Sequence, residues 1–295
     1  GAQAQYIAEV LEYTPAPGQH INTVPWGVPS AAQTLVGGTS GALGLGAYGG
    51  YVVFRFEGPV ENDPENPYGV DFTIFGNPMP EWAEPGVVSV MKDENGNGQP
   101  DDTWYELAGS DYHFSSAWKN YAVTYWEPRP GQRDVRWEDN RAHTGIIEAN
   151  AYHEQPYYPL PDSFPQVKSG QYTLHGTRLD VQVDTTAPGQ VKIYTRAFGY
   201  ADNHPRGTGP GPLPDNPYTP ELENAGGDAF DFAWAVDTAG NYVNLDMVHF
   251  VKVHNAIMAR AGWLGEVSTE ITGAVDVPPA PALSGAADRL VAKPL

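Results

Sequence analysis

The chain has 295 residues, of which 41% are hydrophobic and 12% aromatic, enough to bury a core as one large domain or two small ones. Its 36 acidic and 16 basic residues give a net charge of −20, which disfavours nucleic acid and anionic membrane surfaces as partners. The lack of Cys excludes disulfides and thiolate metal sites, and no apolar stretch of ~18 residues predicts a membrane span.

Short β-strands are the elements that the sequence predicts most often. They are rich in β-branched and aromatic residues, and clusters of turn-forming residues separate them at 61–67, 95–102, 128–132 and 207–217. The segment 255–260 could form one or two helical turns, and longer helical periodicity is missing. The pattern predicts an all-β sandwich with long loops. The predicted strands are 51–56, 71–75, 86–91, 121–126, 172–174, 191–194 and 249–253.

The chain is predicted to form a single domain over residues 1–276. The Gly- and Pro-rich segment 205–220 has predicted strands on both sides, so we interpret it as a long ordered loop of that domain. Residues 277–295 are Pro/Ala-rich and are expected to form an extended linker or a strand lent to a neighbouring chain. The small residues 1–4 would suit either a mature N-terminus after signal removal or an expression scar. We expect an exported protein, extracellular or at the cell surface.

The strongest metal-binding pattern lies at 93–102, Asp-Glu-Asn-Gly-Asn-Gly-Gln-Pro-Asp-Asp. It matches the first nine positions of an EF-hand-type calcium loop, with Gly98 at the position that closes the turn. Position 12, however, is Trp104 rather than Glu, and both flanks resemble strands rather than helices. Asp102 is the expected replacement ligand and Glu106 the alternative. The hypothesis is a Ca²⁺ site, against an Asx-rich turn without metal; its ligands would be Asp93, Asn95, Asn97, Gln99 (through its carbonyl), Asp101 and Asp102.

A second polar cluster could form from residues far apart in the sequence. Asp202 and Asn203 follow an aromatic stretch, and Asp228 and Asp231 lie in a later one. Together they are candidates for a second metal or ligand site, with solvated turn carboxylates as the alternative. The segment 237–241 is interpreted as a hairpin turn.

Aromatic residues suggest a ligand platform. Trp82 and Trp137 occur in polar, Pro-flanked segments, which predicts exposed rings that could stack on a sugar or another planar ligand. Trp104 and Trp126 lie in strand-like runs and are expected to be buried in the core.

Eight stretches spread over residues 9–275 carry a resemblance to known proteins: 11–19, 49–56, 71–77, 84–86, 93–110, 200–204, 230–237 and 265–270. Together they resemble a family of bacterial cell-surface proteins with a galactose-binding-like or jelly-roll β-sandwich. The resemblance implies that fold, a surface location that is often lipid-anchored, and an accessory role in nutrient capture, sometimes near corrinoid or glycan uptake components. It carries no catalytic residues to transfer, and this sequence has no Cys to be lipidated.

The sequence therefore favours a non-enzymatic Ca²⁺-binding β-sandwich protein that binds a glycan or a small nutrient. One alternative is a structural subunit of a surface layer or filament that self-associates through its terminal arms. A third hypothesis is a carbohydrate-active enzyme. Any chain with 36 acidic residues contains two carboxylates, so composition does not discriminate for or against this hypothesis.

Overall fold

A computed structural model describes residues 3–209 and 213–278 of the chain. Helical structure there is limited to Pro29–Gln33 (α1) and 3-10 turns at Pro67–Gly69, Phe232–Trp234 and Gly262–Leu264. Within those residues no helix combines the length and the apolar character that a membrane crossing requires. The strands are Ile7–Thr14 (β1), Leu43–Gly44 (β2), Tyr51–Phe56 (β3), Val60–Glu61 (β4), Phe72–Phe75 (β5), Gly86–Met91 (β6), Trp104–Leu107 (β7), Trp118–Trp126 (β8), Val135–Asp139 (β9), Thr144–Ile147 (β10), Gln171–Arg178 (β11), Val183–Asp184 (β12), Lys192–Ile193 (β13), Asp228–Phe230 (β14), Ala235–Val236 (β15), Met247–Val248 (β16), Phe250–Asn255 (β17), Glu270–Ile271 (β18) and Gly273–Asp276 (β19).

Three antiparallel sheets form the body of the molecule. The largest has six strands in the order β1-β3-β17-β6-β7-β15, and the second has four in the order β10-β9-β8-β11. A third sheet has the order β14-β5-β19. Short two-stranded pairs, such as β18-β2, connect segments outside these three sheets. The prediction of an all-β sandwich is confirmed.

The core follows from the two-residue alternation of the strands. Buried Val and Phe side chains of β3, β6 and β17 face inward and belong to one cluster with buried Tyr side chains of β8. Tyr48, which precedes β3, ties the layers together: its hydroxyl donates to the Tyr121 carbonyl at 3.1 Å, and the Tyr125 hydroxyl donates to the Tyr48 carbonyl at 2.8 Å. Polar side chains are left for the opposite face of β6, β7 and β17.

The local predictions differ from the structure in several places. The helical turns expected at 255–260 are wrong, because Asn255 ends β17, the Ala256 N–H donates to the Pro85 carbonyl, and the Ala256 carbonyl accepts the Leu179 N–H. The strand expected at 191–194 shortens to β13. Strands β1 and β9 are among those that the sequence did not predict, because charged residues interrupt their apolar alternation.

The two ends of the described chain pair with each other. The Asp276 N–H donates to the Gln5 carbonyl at 3.0 Å, and Tyr6 forms an antiparallel bridge with Val275. Val277, the first residue of the predicted tail, is buried and its N–H donates to the Asp71 carbonyl at 2.8 Å. Order thus extends past the expected boundary at 276, and residues 279–295 of the predicted tail lie outside the described residues.

Candidate cation-binding site and cleft

Three buried carboxylates lie together where separate segments meet. Glu84, Asp202 and Glu270 place carboxylate oxygens within 4.8 Å of one another. Their exposed fractions are 7%, 0% and 8%. Among the described residues, no ion pair includes any of the three. This carboxylate triad therefore places up to three negative charges in a buried position without a salt-bridged cation.

Main-chain pairing holds the triad together. Gly86, at the start of β6, and Ala201 exchange two hydrogen bonds of 2.9 Å, which sets Glu84 beside Asp202. The Glu84 N–H then donates to the Asp202 carbonyl at 2.9 Å. The third member, Glu270, begins β18, whose partner is β2. Short pairings at the ends of strands thus bring together residues that are far apart in sequence.

The carboxylate of Asp202 is itself held by main-chain donors. It accepts the N–H groups of Asn77 at 3.0 Å and Glu270 at 2.7 Å. A Cβ on Gly76 would lie 2.1 Å from Asp202 Oδ1, so only glycine permits this close approach. Asp202 also adopts φ 56°, a left-handed conformation that is uncommon for residues other than glycine. Such backbone strain concentrates at functional sites.

Burial dominates the electrostatics of the triad. It raises the pKa of Glu84 and Asp202 well above their usual values, and the mutual repulsion of the carboxylates adds to the shift. It raises the pKa of Glu270 to about 7. An unpaired buried carboxylate costs several kcal/mol, so at neutral pH the triad must retain protons or take up a cation.

An open cleft of about 270 Å³ reaches two members of the triad, Glu84 and Glu270. His20 and His153 meet edge to face on its wall, with ring centroids 4.8 Å apart. Burial lowers the pKa of His20, which favours the neutral imidazole at physiological pH. The other lining residues are Gln19, Asn77, Met79, Trp82, Leu264, Glu266 and Ser268.

Glu266 adds a fourth buried carboxyl to the cleft wall. Only 7% of the residue is exposed, and its Oε1 accepts the Gln19 N–H at 2.6 Å. Its Oε2 is buried and has no hydrogen-bond partner among the described residues. Burial raises the pKa of Glu266 to about 8. Because a buried unsatisfied oxygen costs about 1–3 kcal/mol, a donor or cation entering the cleft would recover free energy there.

The donor chemistry fits a hard divalent cation. All three members of the triad offer carboxylate oxygens, the ligands preferred by Ca²⁺ and Mg²⁺ over softer metals. The exposed Asn77 amide, which hydrogen-bonds Glu270, could supply a further oxygen. Ca²⁺ takes six to eight oxygens, so the remaining positions would fall to oxygens from solvent or a ligand in the cleft.

The loop 93–102 forms a second, more exposed group of oxygen donors between β6 and β7. The Asp93 carboxylate accepts the N–H groups of Asn97 at 3.1 Å and Gly98 at 2.8 Å, and Gly98 has φ 73°. The Asn95 amide reaches Asp101 at 3.1 Å. Amide nitrogen and oxygen exchange places on a half-turn of the group, so these contacts are compatible with either a self-contained turn or a metal loop.

Of the other ligands predicted for the loop 93–102, two lie in the loop and one lies on β7. Asp102 lies in the loop and accepts the Glu94 N–H at 2.9 Å, while the Gln99 carbonyl accepts the Asp101 N–H at 2.9 Å. The alternative ligand Glu106 lies on β7 instead, where its carboxylate accepts the Thr177 hydroxyl at 2.6 Å. Hydrogen bonds within the loop thus link Asp93, Asn95, Asn97, Asp101 and Asp102.

The predicted second cluster is only partly brought together. Asp202 belongs to the triad. The N–H of the next residue, Asn203, donates to the Asp228 carboxylate at 3.0 Å. The Asp228 carboxylate also contacts His204, whose Nδ1 lies 2.9 Å from Asp228 Oδ1. Asp231 caps the turn Phe232–Trp234 by accepting the Ala233 N–H at 2.7 Å. Asn203, Asp228 and Asp231 do not belong to the triad, whereas Glu84 and Glu270 do.

The tryptophans are placed differently from the prediction. Trp82 is partly buried in a loop and lines the cleft. Trp137 lies on β9, not in a loop, and its ring covers the cross-strand Gly145, where a Cβ would approach within 2.4 Å. Trp104 and Trp126, expected in the core, are partly exposed.

Comparison with known proteins assigns no family. No protein-family model matches the chain, and no curated protein matches it. The functional inference therefore rests on the geometry of the cleft, the triad and the loop.

Proposed function

We propose that the protein is a non-enzymatic calcium-binding protein of the extracellular space or cell surface, which binds a glycan or another hydroxyl-rich nutrient. The observation that carries this proposal is the triad of Glu84, Asp202 and Glu270 beside an open cleft. The loop 93–102 would bind a second Ca²⁺, which would order the connection between β6 and β7.

A cation at the triad would give the cleft its ligand preference. Ca²⁺ would neutralise the buried carboxylates and keep coordination positions on the cleft side. Sugar hydroxyl groups could fill those positions. Trp82 offers an indole for stacking, and the unpartnered Oε2 of Glu266 offers a further hydrogen-bonding group. This combination supports binding of a polyol ring.

The expected location follows from calcium supply. Extracellular calcium modules have dissociation constants of about 10⁻⁴–10⁻³ M, far weaker than cytosolic sensors. The loop 93–102 is mostly exposed, and protons compete for the triad, so we expect affinities in the extracellular range.

Calcium stoichiometry tests the proposal. We expect isothermal titration calorimetry on metal-free protein to find two Ca²⁺ per chain, and one in the Glu84→Gln/Glu270→Gln variant. The matched control is Glu57→Gln, which removes an exposed carboxylate and should leave both sites intact. Near-ultraviolet circular dichroism checks that each variant is folded. A double variant that binds as much Ca²⁺ as the wild type would refute the triad as the site.

One observation favours glycoside hydrolysis as a second candidate. Glu266, with its pKa raised to about 8, shares the cleft with carboxyls that could ionise. A protonated acid beside a carboxylate is the pair that such enzymes use. The test is a glycan screen for released sugar with wild type and Glu266→Gln. Turnover lost in the variant would support an enzyme, and no product from any glycan would exclude it for that panel.

A further inference from the structure

A separate groove of about 330 Å³ opens on the polar face of the six-stranded sheet, and it is not part of the carboxylate cleft. Ser89, Glu106 and Lys252 lie side by side across β6, β7 and β17, and form its floor. Residues of β8 and β11 supply the opposite wall. The volume falls in the range of small-molecule sites, which form preferentially where structural layers meet.

Two lysines, Lys119 and Lys252, line this groove beside two acids, Glu106 and Asp237, in a chain of net charge −20. Lys252 Nζ lies 4.1 Å from the centroid of the Tyr51 ring, and it makes no hydrogen bond or ion pair with the described residues. Lys119 Nζ lies 3.9 Å from the centroid of the Tyr112 ring and donates to the Tyr112 carbonyl. Burial lowers the pKa of both lysines, which signals ammonium groups that lack full compensation.

The acids of the groove offset the charges of the two lysines only in part. Glu106 accepts the Thr177 hydroxyl at 2.6 Å. Burial raises its pKa to about 7 although the charge of Lys119 lowers it, so Glu106 is partly neutral at physiological pH. Asp237 is held within its own turn by the N–H groups of Ala239 at 2.9 Å and Asn241 at 2.8 Å. Outside the groove, the negative charge of Glu12 raises the pKa of Lys252 and so opposes the effect of burial. The Glu12 carboxylate also accepts a hydrogen bond from the Tyr51 hydroxyl.

The remaining lining matches a ring with hydroxyl groups. Trp104 is partly exposed and offers an indole face, while Asn120 and His175 add polar groups that can donate or accept hydrogen bonds. Aromatic faces combined with such groups recognise both surfaces and edges of a sugar ring.

We propose that this groove binds an acidic sugar residue, with Lys252 and Lys119 pairing to its carboxylate and Trp104 stacking on its ring. A single carboxylate is favoured over a densely anionic chain, because the overall negative charge of the protein repels polyanions beyond the immediate pair of lysines. The groove does not use the cation triad, so this binding is independent of the proposed function.

The probes are disaccharides of galacturonate, glucuronate and mannuronate, each compared with its neutral counterpart by calorimetry on the full chain. We expect at least one acidic disaccharide to bind at least tenfold more tightly than its neutral partner. Lys252→Met, which removes the charge and keeps an unbranched side chain of nearly the same length, should remove that preference. The matched control is Lys168→Met, an exposed lysine outside the groove, which should keep it.

Two further variants make the outcome decisive. Trp104→Ala should weaken binding of both members of a pair, while Glu84→Gln/Glu270→Gln should leave acidic-sugar binding unchanged. Thermal unfolding checks that each variant is folded. The proposal is overturned if none of the acidic disaccharides binds, if acidic and neutral forms bind equally, or if folded Lys252→Met retains the preference.

Discussion

Glu270 acts on Asp202 in two opposite ways. Its N–H donates to Asp202 Oδ2 at 2.7 Å and stabilises the anion, while its own carboxylate lies within the triad and opposes it. The main-chain contact does not depend on the protonation of Glu270, but the repulsion does. The triad is thus held in place geometrically while its charge responds to protons and cations.

The stability of metal-free protein should fall as pH rises from about 5 to about 8. The folded-state pKa values of Glu84, Asp202, Glu266 and Glu270 are raised, so the folded protein binds more protons than the unfolded chain over this window. The stabilisation is full below the unfolded pKa of about 4 and is lost as pH rises through the folded values. Urea unfolding of metal-free protein at several pH values measures the trend.

Excess Ca²⁺ should reverse this trend, because cation binding requires the ionised carboxylates. We expect little stabilisation by Ca²⁺ near pH 5 and a large one near pH 8. The Glu84→Gln/Glu270→Gln variant serves as the control and should show a shallower pH dependence. If added Ca²⁺ stabilised the wild type equally at every pH, proton competition at the triad would be ruled out.

Gly76→Ala should disturb the triad without touching a carboxylate. The new Cβ would lie 2.1 Å from Asp202 Oδ1 and 2.8 Å from the Glu270 carbonyl, so at least one of them must move. Overpacking of this kind costs about 1–3 kcal/mol, and we also expect weaker Ca²⁺ binding. Gly38→Ala is the control, since its Cβ would meet nothing within 4 Å. Equal unfolding midpoints for the two variants would contradict this account.

The sequence predicts those strands that consist almost entirely of apolar residues, and it misses some strands in which charged residues interrupt the apolar pattern. Strands β3 and β6 are evident because nearly every residue is apolar or β-branched, as suits the centre of a sheet. The segment Val135–Asp139 has charged residues beside Trp137, which favours a loop in sequence, yet pairing with β8 and β10 makes it a strand.

The carboxylate site was predictable only in part. Asp202 could be found because it follows an aromatic stretch and precedes Asn203. Glu84 and Glu270 have no acidic or amide residue directly beside them in the sequence, so no local pattern indicates that their carboxylates lie close together in the fold. One usable clue is Glu270 itself, since a carboxylate between Thr269 and Ile271 is costly to bury in a strand.

Tyr125→Phe should test the link between the two layers of the core. Its hydroxyl donates to the Tyr48 carbonyl at 2.8 Å in a fully buried position, so the substitution leaves that carbonyl without its partner. We expect a loss of about 1–3 kcal/mol in the free energy of unfolding. Tyr152→Phe removes a hydroxyl from a side chain that is 79% exposed and should cost almost nothing. Equal costs for the two changes would mean that the hydrogen bond contributes little.

Asp93→Ala should separate a metal loop from a simple turn. Asp93 accepts the N–H groups of Asn97 and Gly98, so its removal destabilises the loop in either case. Only a metal loop predicts that added Ca²⁺ raises the unfolding midpoint of the wild type more than that of the variant.

Glu94→Ala is the matched control for this loop, because Glu94 is exposed and occupies the position between two expected ligands. It removes the same charge from the same loop and should keep the full response to Ca²⁺. The triad still binds in both variants, so the difference between them isolates the loop. If Asp93→Ala and Glu94→Ala responded identically to Ca²⁺, the segment would be a turn held by Asx hydrogen bonds alone, and calcium binding would be confined to the triad.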